Sequence, residues 1–467
     1  MTLTATHVIV AVLMSAMSPA AHAQTPLAQA QSSPSVPDGF TFAAGGDLIG
    51  PYTAFSVENT PGIARVADLF RHADLGFANQ EGAIFDLATF HGSPAAENGG
   101  GTPVYAPEVA KDLKTMGVTI VSKANNHATD WGTQGLEATL VSLASANIVQ
   151  AGSGVSLAEA RAPGYVETRL GKAALVDVAS TFPPMSAASA PFTYRGVTMQ
   201  PRPGISPLNV RLVRLVSPGS FADLRQAAGG AAYPVRGRDD EVRIGDVLFR
   251  SSTSLGLTWE MEPSDETAVL ASVREARLKA GFVLFSIHAH ETAGDADSGP
   301  ADFQPVGLHF ANEAAAPNDP RPADFEPALF HAAIDAGADA VVRTGPHVLG
   351  GIEIYKGKPI FYSLASLFFP FGNRRTFVTA AGETLSFPDE SFESIVPVTT
   401  YKDGKISEIR LYPIAIERAA GPTLGFPHLA PPDQAVRILK RLQTLSAPFG
   451  TTISIEGEVG VIRAPKS

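Results

Sequence analysis

Asp47, Asn79, Glu81, Asn126, His127, His288, His290 and His347 all occupy one kind of position in this chain of 467 residues. Each follows a short apolar run, rich in β-branched or aromatic residues: 40–46, 75–78, 118–121, 282–287 and 340–342. Such runs read as buried strands, so each polar group stands at or just past a strand's carboxyl end. In open α/β sheets, ligands bind beyond that edge. Carboxylate, amide and imidazole together suit borderline or hard divalent ions such as Mn, Fe, Zn or Mg. Metal ligands must converge from rigid elements, which strand ends provide. A divalent ion held there makes water a usable nucleophile near neutral pH, and a nearby imidazole can protonate a leaving group.

The elements between these runs have helical periodicity. Ile63, Val66 and Phe70 share one face of a helix at 61–72; Val109, Leu113 and Met116 share another at 107–116, stopped by Gly117. A third helix starts behind Gly132 and Gly135 and carries Leu136, Leu140 and Leu143. Helices are also predicted over 265–280, 325–336 and 433–445, with a strand over 173–178. Hairpins are predicted around Lys356-Gly357-Lys358 and Asp403-Gly404. The alternation of strand and helix predicts layered α/β architecture. Residues 180–265 contain Pro183-Pro184, Pro201, Pro203, Pro207 and Gly229-Gly230, which break long elements, with one strand over 242–249. They read as a loop-rich insertion. Residues 371–467 read as a C-terminal extension packing on the same domain, which itself spans 38–370.

Composition narrows the chemistry. The hydrophobic fraction of 45% and mean hydropathy of +0.08 fit a folded protein. A net charge of −11 argues against a nucleic-acid surface. There is no cysteine, so disulfides, thiolate metal sites and cysteine nucleophiles are excluded. Residues 1–23 read as an export signal: 8–14 is apolar, and Ala21-His22-Ala23 offers a small-x-small cleavage site. Residues 24–37 then form a flexible leader, and the expected location is periplasmic or extracellular. No later segment is long and apolar enough for a transmembrane helix.

The ordered blocks Gly46-Asp47, Asn79-Gln80-Glu81, Ala124-Asn125-Asn126-His127 with Asp130 and Gly132, His288, Pro346-His347-Val348 and Lys358-Pro359-Ile360-Phe361-Tyr362-Ser363-Leu364 carry a family resemblance. The chain resembles the CapA family of capsule or poly-γ-glutamate synthesis, a branch of the calcineurin-like metallophosphoesterases, over residues 40–370. The resemblance implies a four-layer α/β/β/α sandwich with the site at its top edge. It implies Asp47, Glu81, Asn126, His288 and His347 as metal ligands. His127 would donate to the reacting centre, with Asn126 and Glu81 beside it. The implied partners are an anionic envelope polymer or its precursor and membrane proteins of capsule assembly. Three positions depart from the pattern. Ile49 and Gly345 stand where histidines are usual, and Ala289-His290 replaces Trp-Gly. These departures point to one ion, or to a second held with the help of His290.

His72, His91, His309 and His331 read as surface or packing residues, Trp131 as packing, and Asp130 as a turn or helix-cap group. The functional readings are three: a metal-dependent hydrolase, a metal-independent acid/base enzyme such as an epimerase, and a non-catalytic polymer-binding accessory protein.

Overall fold

The strand Thr41–Leu48 runs through the middle of the first of two stacked sheets. On one side it pairs in parallel with Leu75–Gln80, which continues in parallel to Ile120–Ser122 and Val149–Ala151. On the other side it pairs antiparallel with Glu393–Lys402, followed by Lys405–Ile416 and Val459–Arg463. The C-terminal segment therefore does more than pack on the domain: it supplies strands to the sheet that carries Asp47. The computed structural model describes residues 35–94, 104–245, 247–293, 321–372, 376–378 and 384–464. The expected signal peptide at 1–23, His309 and most of the predicted leader at 24–37 lie outside them.

The second sheet runs in the order Ile352–Tyr355, Lys358–Phe361, Ala340–Thr344, Phe282–His288, Gly171–Ala179, Gly164–Thr168. Its central strands are parallel, so His288 and Thr344 lie side by side at one edge. Between the sheets Phe42, Phe77 and Ile120 from the first meet Leu175, Leu284 and Phe361 from the second. Phe40 stacks on Phe282 at 4.8 Å, and Tyr401 meets Phe282 edge-on. Such aromatic pairs add ~0.5–1.5 kcal/mol each beyond the burial of their area.

Helices cover both outer faces, as their apolar stripes require. Ile63–Arg71 and Glu108–Met116 bury Ile63, Val66, Phe70, Val109, Leu113 and Met116 against the first sheet. Pro263–Lys279 and Phe325–Ala336 bury Val269, Val273, Leu329 and Phe330 against the second. The layers are helix, sheet, sheet, helix, which is the α/β metallophosphoesterase-like arrangement. Pro432–Ser446 packs Ile438, Leu439 and Leu442 into the core shared by the two sheets.

The insertion is more regular than its prolines and glycines suggest. Residues 180–209 are mostly irregular, but beyond them a five-stranded sheet surrounds Val210–Val216. The single strand expected over 242–249 is two antiparallel strands, Arg238–Ile244 and Val247–Ser251, with Gly245 turning at φ 58°. Glu241 is buried there among the guanidinium groups of Arg211, Arg238 and Arg250. The charged run Arg238-Asp239-Asp240-Glu241 hid this strand pair, although Glu241 within it is paired with arginines rather than solvated.

Candidate metal centre

Asp47 reaches the site through a bulge. The register of Thr41–Leu48 against Leu75–Gln80 shifts between Ala44 and Asp47, which re-aims the carboxylate. Gly46 makes room for this: a Cβ there would sit 1.7 Å from the Ala365 carbonyl oxygen. Asp47 Oδ1 accepts from Asn79 Nδ2 at 2.8 Å, and Oδ2 accepts from the Gly345 amide at 3.2 Å. His347 Nδ1 lies 3.2 Å from the same Oδ2.

Asn79 is the hub that ties the two sheets together. Its Oδ1 accepts from Ser122 Oγ at 3.0 Å and from Asn125 Nδ2 at 3.2 Å, while its Nδ2 lies 3.2 Å from His288 Nδ1. His288 Nδ1 is also 3.1 Å from Thr344 Oγ1. On the other side of that ring, Nε2 lies 3.0 Å from His290 Nε2 and 3.6 Å from Glu81 Oε1.

Two groups of ligand atoms result, Glu81 with His288 and His290, and Asp47 with Glu81 and His347; within each, the atoms lie within 4.8 Å of one another. All of these side chains are buried, and Glu81 is common to both groups. Buried carboxylates facing neutral imidazole nitrogens are a donor set that suits a divalent ion.

His290 compensates for the departure at Gly345. Residue 345 has φ 114°, and a Cβ on it would come within 3.1 Å of the His290 ring and 2.9 Å of the Ala289 carbonyl. The imidazole of His290 thus fills space that a side chain at 345 would need. Its backbone amide donates to Thr181 Oγ1 at 2.8 Å, which anchors the residue. His347 has φ 54°, a conformation that costs a non-glycine residue energy and that clusters at functional sites. Ser366 Oγ lies 3.2 Å from its Nδ1. Ile49, in contrast, joins an apolar cluster with Phe369, Phe392 and Ile416, so it brings no ligand to the centre.

The turn after Ile120–Ser122 brings Asn126, which is buried, and His127 to the same edge. His127 Nδ1 is 2.7 Å from Asp130 Oδ2. Asp130 therefore holds an imidazole rather than capping a helix: the cap of Gly132–Ser145 is Trp131, without a side-chain bond. Trp131 itself packs edge-on against Phe85 and Phe90. The His127 side chain is 11% exposed, against 0–7% for Asp47, Glu81, His288 and His347. His331 pairs with Glu353 and stacks on Tyr355, away from the centre, and His72 Nδ1 lies 2.7 Å from a carbonyl of its own helix.

Electrostatics divide the site. Burial pushes the Asp47 carboxyl up, but the hydrogen bond and charge of His347, with His288 and Asn79, outweigh it and hold it below the ordinary carboxylate value. Burial pulls His288 down to about 3, opposed by Asp47 and reinforced by His347, His127 and Arg343. Burial likewise holds His290 well below the usual imidazole range. At neutral pH these two rings are uncharged and carry the lone pairs that metal binding needs.

Sequence reasoning passed over the groups that support these side chains. Lys123 is wholly buried and donates to the carbonyls of Gln80, Glu81 and Gly82 at 3.0, 2.9 and 3.2 Å. Asp177 Oδ2 accepts from the amides of Lys123 and Ala124 at 3.0 and 2.8 Å. A lone charge inside an otherwise uncharged run was the available signal for both, Lys123 within 118–129 and Asp177 within 173–179.

The family described as bacterial capsule synthesis protein PGA_cap matches residues 21–304 and 291–370. The chain belongs to that family. It is one of the metallophosphoesterase-like superfamily, and membership ties the chain to capsule synthesis. Two Sinorhizobium fredii proteins, y4sH and y4uA, are each 36% identical to it over 92% of this chain and 94% of their own length. The PGA biosynthesis protein CapA of Bacillus subtilis is 24% identical over 58% of this chain and 47% of its own. Among the described residues, no helix of this capsule synthesis family member is long and apolar enough to cross a membrane.

Proposed function

We propose that this protein is an exported, divalent-metal-dependent hydrolase of capsule synthesis, acting on an anionic envelope polymer of the poly-γ-glutamate type or on its precursor. The observation that carries the reading is the sharing of Glu81 between two buried carboxylate–imidazole groups. Asp47, Glu81 and His347 would hold one ion, and Glu81, His288 and His290 a second, with Asn126 beside them. When bound, a divalent ion supplies Lewis acidity: it polarises a phosphoryl or carbonyl oxygen and makes water acidic enough to attack near neutral pH. The chain's own part is positional and acid–base. Asn79 and the Gly345 amide fix Asp47, and burial keeps His288 and His290 neutral. Asp130 occupies Nδ1 of His127, so Nε2 is the nitrogen that can pass a proton to a leaving group. The greater exposure of His127 suits a group that meets substrate.

One test joins metal analysis of protein purified without chelator to a hydrolysis screen on phosphoesters and γ-glutamyl peptides. Close to one or two tightly held divalent ions per chain, with turnover abolished by chelator and restored by metal, is the expected result. Metal-free protein that still supports capsule formation in cells would defeat it. That outcome would favour a polymer-binding accessory role, to which the apolar packing of Ile49 lends specific support.

A further inference from the structure

We propose that Lys123 and Arg343 are positioning residues that fix the two ligand-bearing loops by their backbone carbonyls; the proposal rests on the metal-site reading above. Both cations are buried, Lys123 with no exposure and Arg343 with 2%. Burying a charge is costly unless it is paired and hydrogen-bonded, so a fold accepts it only where the bonds are made. Here both cations spend their donors on the same kind of target. The ammonium of Lys123 has three protons and meets three successive carbonyls, those of Gln80, Glu81 and Gly82. The guanidinium of Arg343 donates from Nε to the Ala289 carbonyl at 3.1 Å and from Nη2 to the Glu291 carbonyl at 2.5 Å, bracketing His290. Glu326, itself fully buried, lies 2.8 Å from Arg343 Nε and neutralises it.

The consequence differs between the two loops. With the carbonyls of 80–82 committed to Lys123, the peptide that carries Glu81 has one setting, and Glu81 belongs to both candidate ligand groups. With those of Ala289 and Glu291 committed to Arg343, the His290 peptide is fixed, and His290 belongs only to the group with Glu81 and His288. Lys123 also joins the sheets, because its own amide donates to Asp177 on the strand Gly171–Ala179. Outer partners of this kind typically change metal affinity by ~10–100-fold when removed.

The test is calorimetric titration of Mn²⁺ into chelator-stripped full-length protein, with the circular dichroism and melting temperature of each metal-free variant recorded alongside. Lys123→Met is expected to weaken both binding events by ~10–100-fold, and Arg343→Met to weaken one and leave the other unchanged. A merely structural role would lower melting temperature without that split. Should Lys123→Met fail to fold, Lys123→Gln keeps two amide protons for the carbonyls and is expected to weaken both events by a smaller factor. Wild-type affinity in the folded variants, or a loss of both events in Arg343→Met, overturns the positioning roles while leaving the metal site standing. Wild-type protein that binds no Mn²⁺ overturns the metal-site reading, and this proposal with it.

Discussion

The two sheets bring opposite chemistry to the edge where they meet. The first sheet delivers acids and amides, Asp47, Asn79, Glu81 and Asn126; Asn79 donates to Asp47 and accepts from Ser122 and Asn125. The second delivers imidazoles, His288, His290 and His347, of which the first two are kept neutral by burial. Negative charge comes from one side and neutral lone pairs from the other, so neither edge alone makes a divalent site. The contrast also extends beneath the ligands. An ammonium grips the loop carrying Glu81, and a guanidinium paired with Glu326 grips the loop carrying His290.

The largest effect should come from the residue that both ligand groups need. Glu81→Gln keeps the size of the side chain and removes its charge, and it is expected to abolish both metal-binding events. His290→Gln should remove one and spare the other. Metal content of the two purified variants checks this; equal losses would mean that the edges do not divide the work as described. Next in size, His127→Ala should lower kcat by ~10²–10⁴-fold, the usual worth of a positioned general acid. The same variant should keep its full metal content, since His127 lies outside both ligand groups. Loss of metal from it would make His127 a ligand and the first sheet a source of imidazole as well.

How much of this was legible beforehand follows from the same division. The strand ends that carry Asp47, Asn126, His288 and His347 were readable, because each is a polar residue closing a short apolar run. The layering was readable from the alternating periodicities. What was not readable involves partners distant in sequence. Asp130 looks like a cap until His127 is seen turned onto it. Asp177 sits inside an apolar strand and receives amides from a loop more than fifty positions away. The insertion's sheet was missed because its strand Arg238–Ile244 opens on a charged run in which Glu241 is buried against arginines. Proline and glycine counts carry no trace of that pairing.

The edges should also part company under acid. His288 and His290 have folded values below the ordinary 6.5, so the unfolded chain binds their protons first as pH falls. Stability present above pH 6.5 is therefore lost progressively as pH falls toward about 3, where His288 takes up its proton in the fold. The upper bound is ~1.4 kcal/mol per pH unit for each ring. Asp47 behaves otherwise: its value is held below 3.8, so its contribution persists until pH drops beneath that. Melting temperatures of metal-free protein between pH 7 and 5 should fall more steeply in wild type than in a His288→Asn, His290→Gln double variant. Parallel slopes would show that the rings are already solvated.

The smallest effect concerns the seam between the sheets. Asp177 accepts two amides at the start of the turn that carries Asn126 and His127, and burial pushes its carboxyl well above the ordinary range. Asp177→Ala takes this acceptor from the Ala124 N–H, while the Lys123 N–H keeps the Ala151 carbonyl at 2.9 Å, and should cost ~1–3 kcal/mol in denaturant melts. Asp177→Asn keeps the accepting oxygen and mimics a neutral acid. The sign of the pH dependence then distinguishes hydrogen bonding from charge. A carboxyl with a raised folded value holds its proton in the fold while the unfolded chain has released it, so wild-type stability declines as pH rises above 3.8. Asp177→Asn escapes that decline, so measured against wild type it should be more stable at pH 8 than at pH 5. If the asparagine variant instead falls as far as the alanine one at both pH values, the seam depends on the carboxylate's charge opposite Lys123 rather than on its two accepted hydrogen bonds.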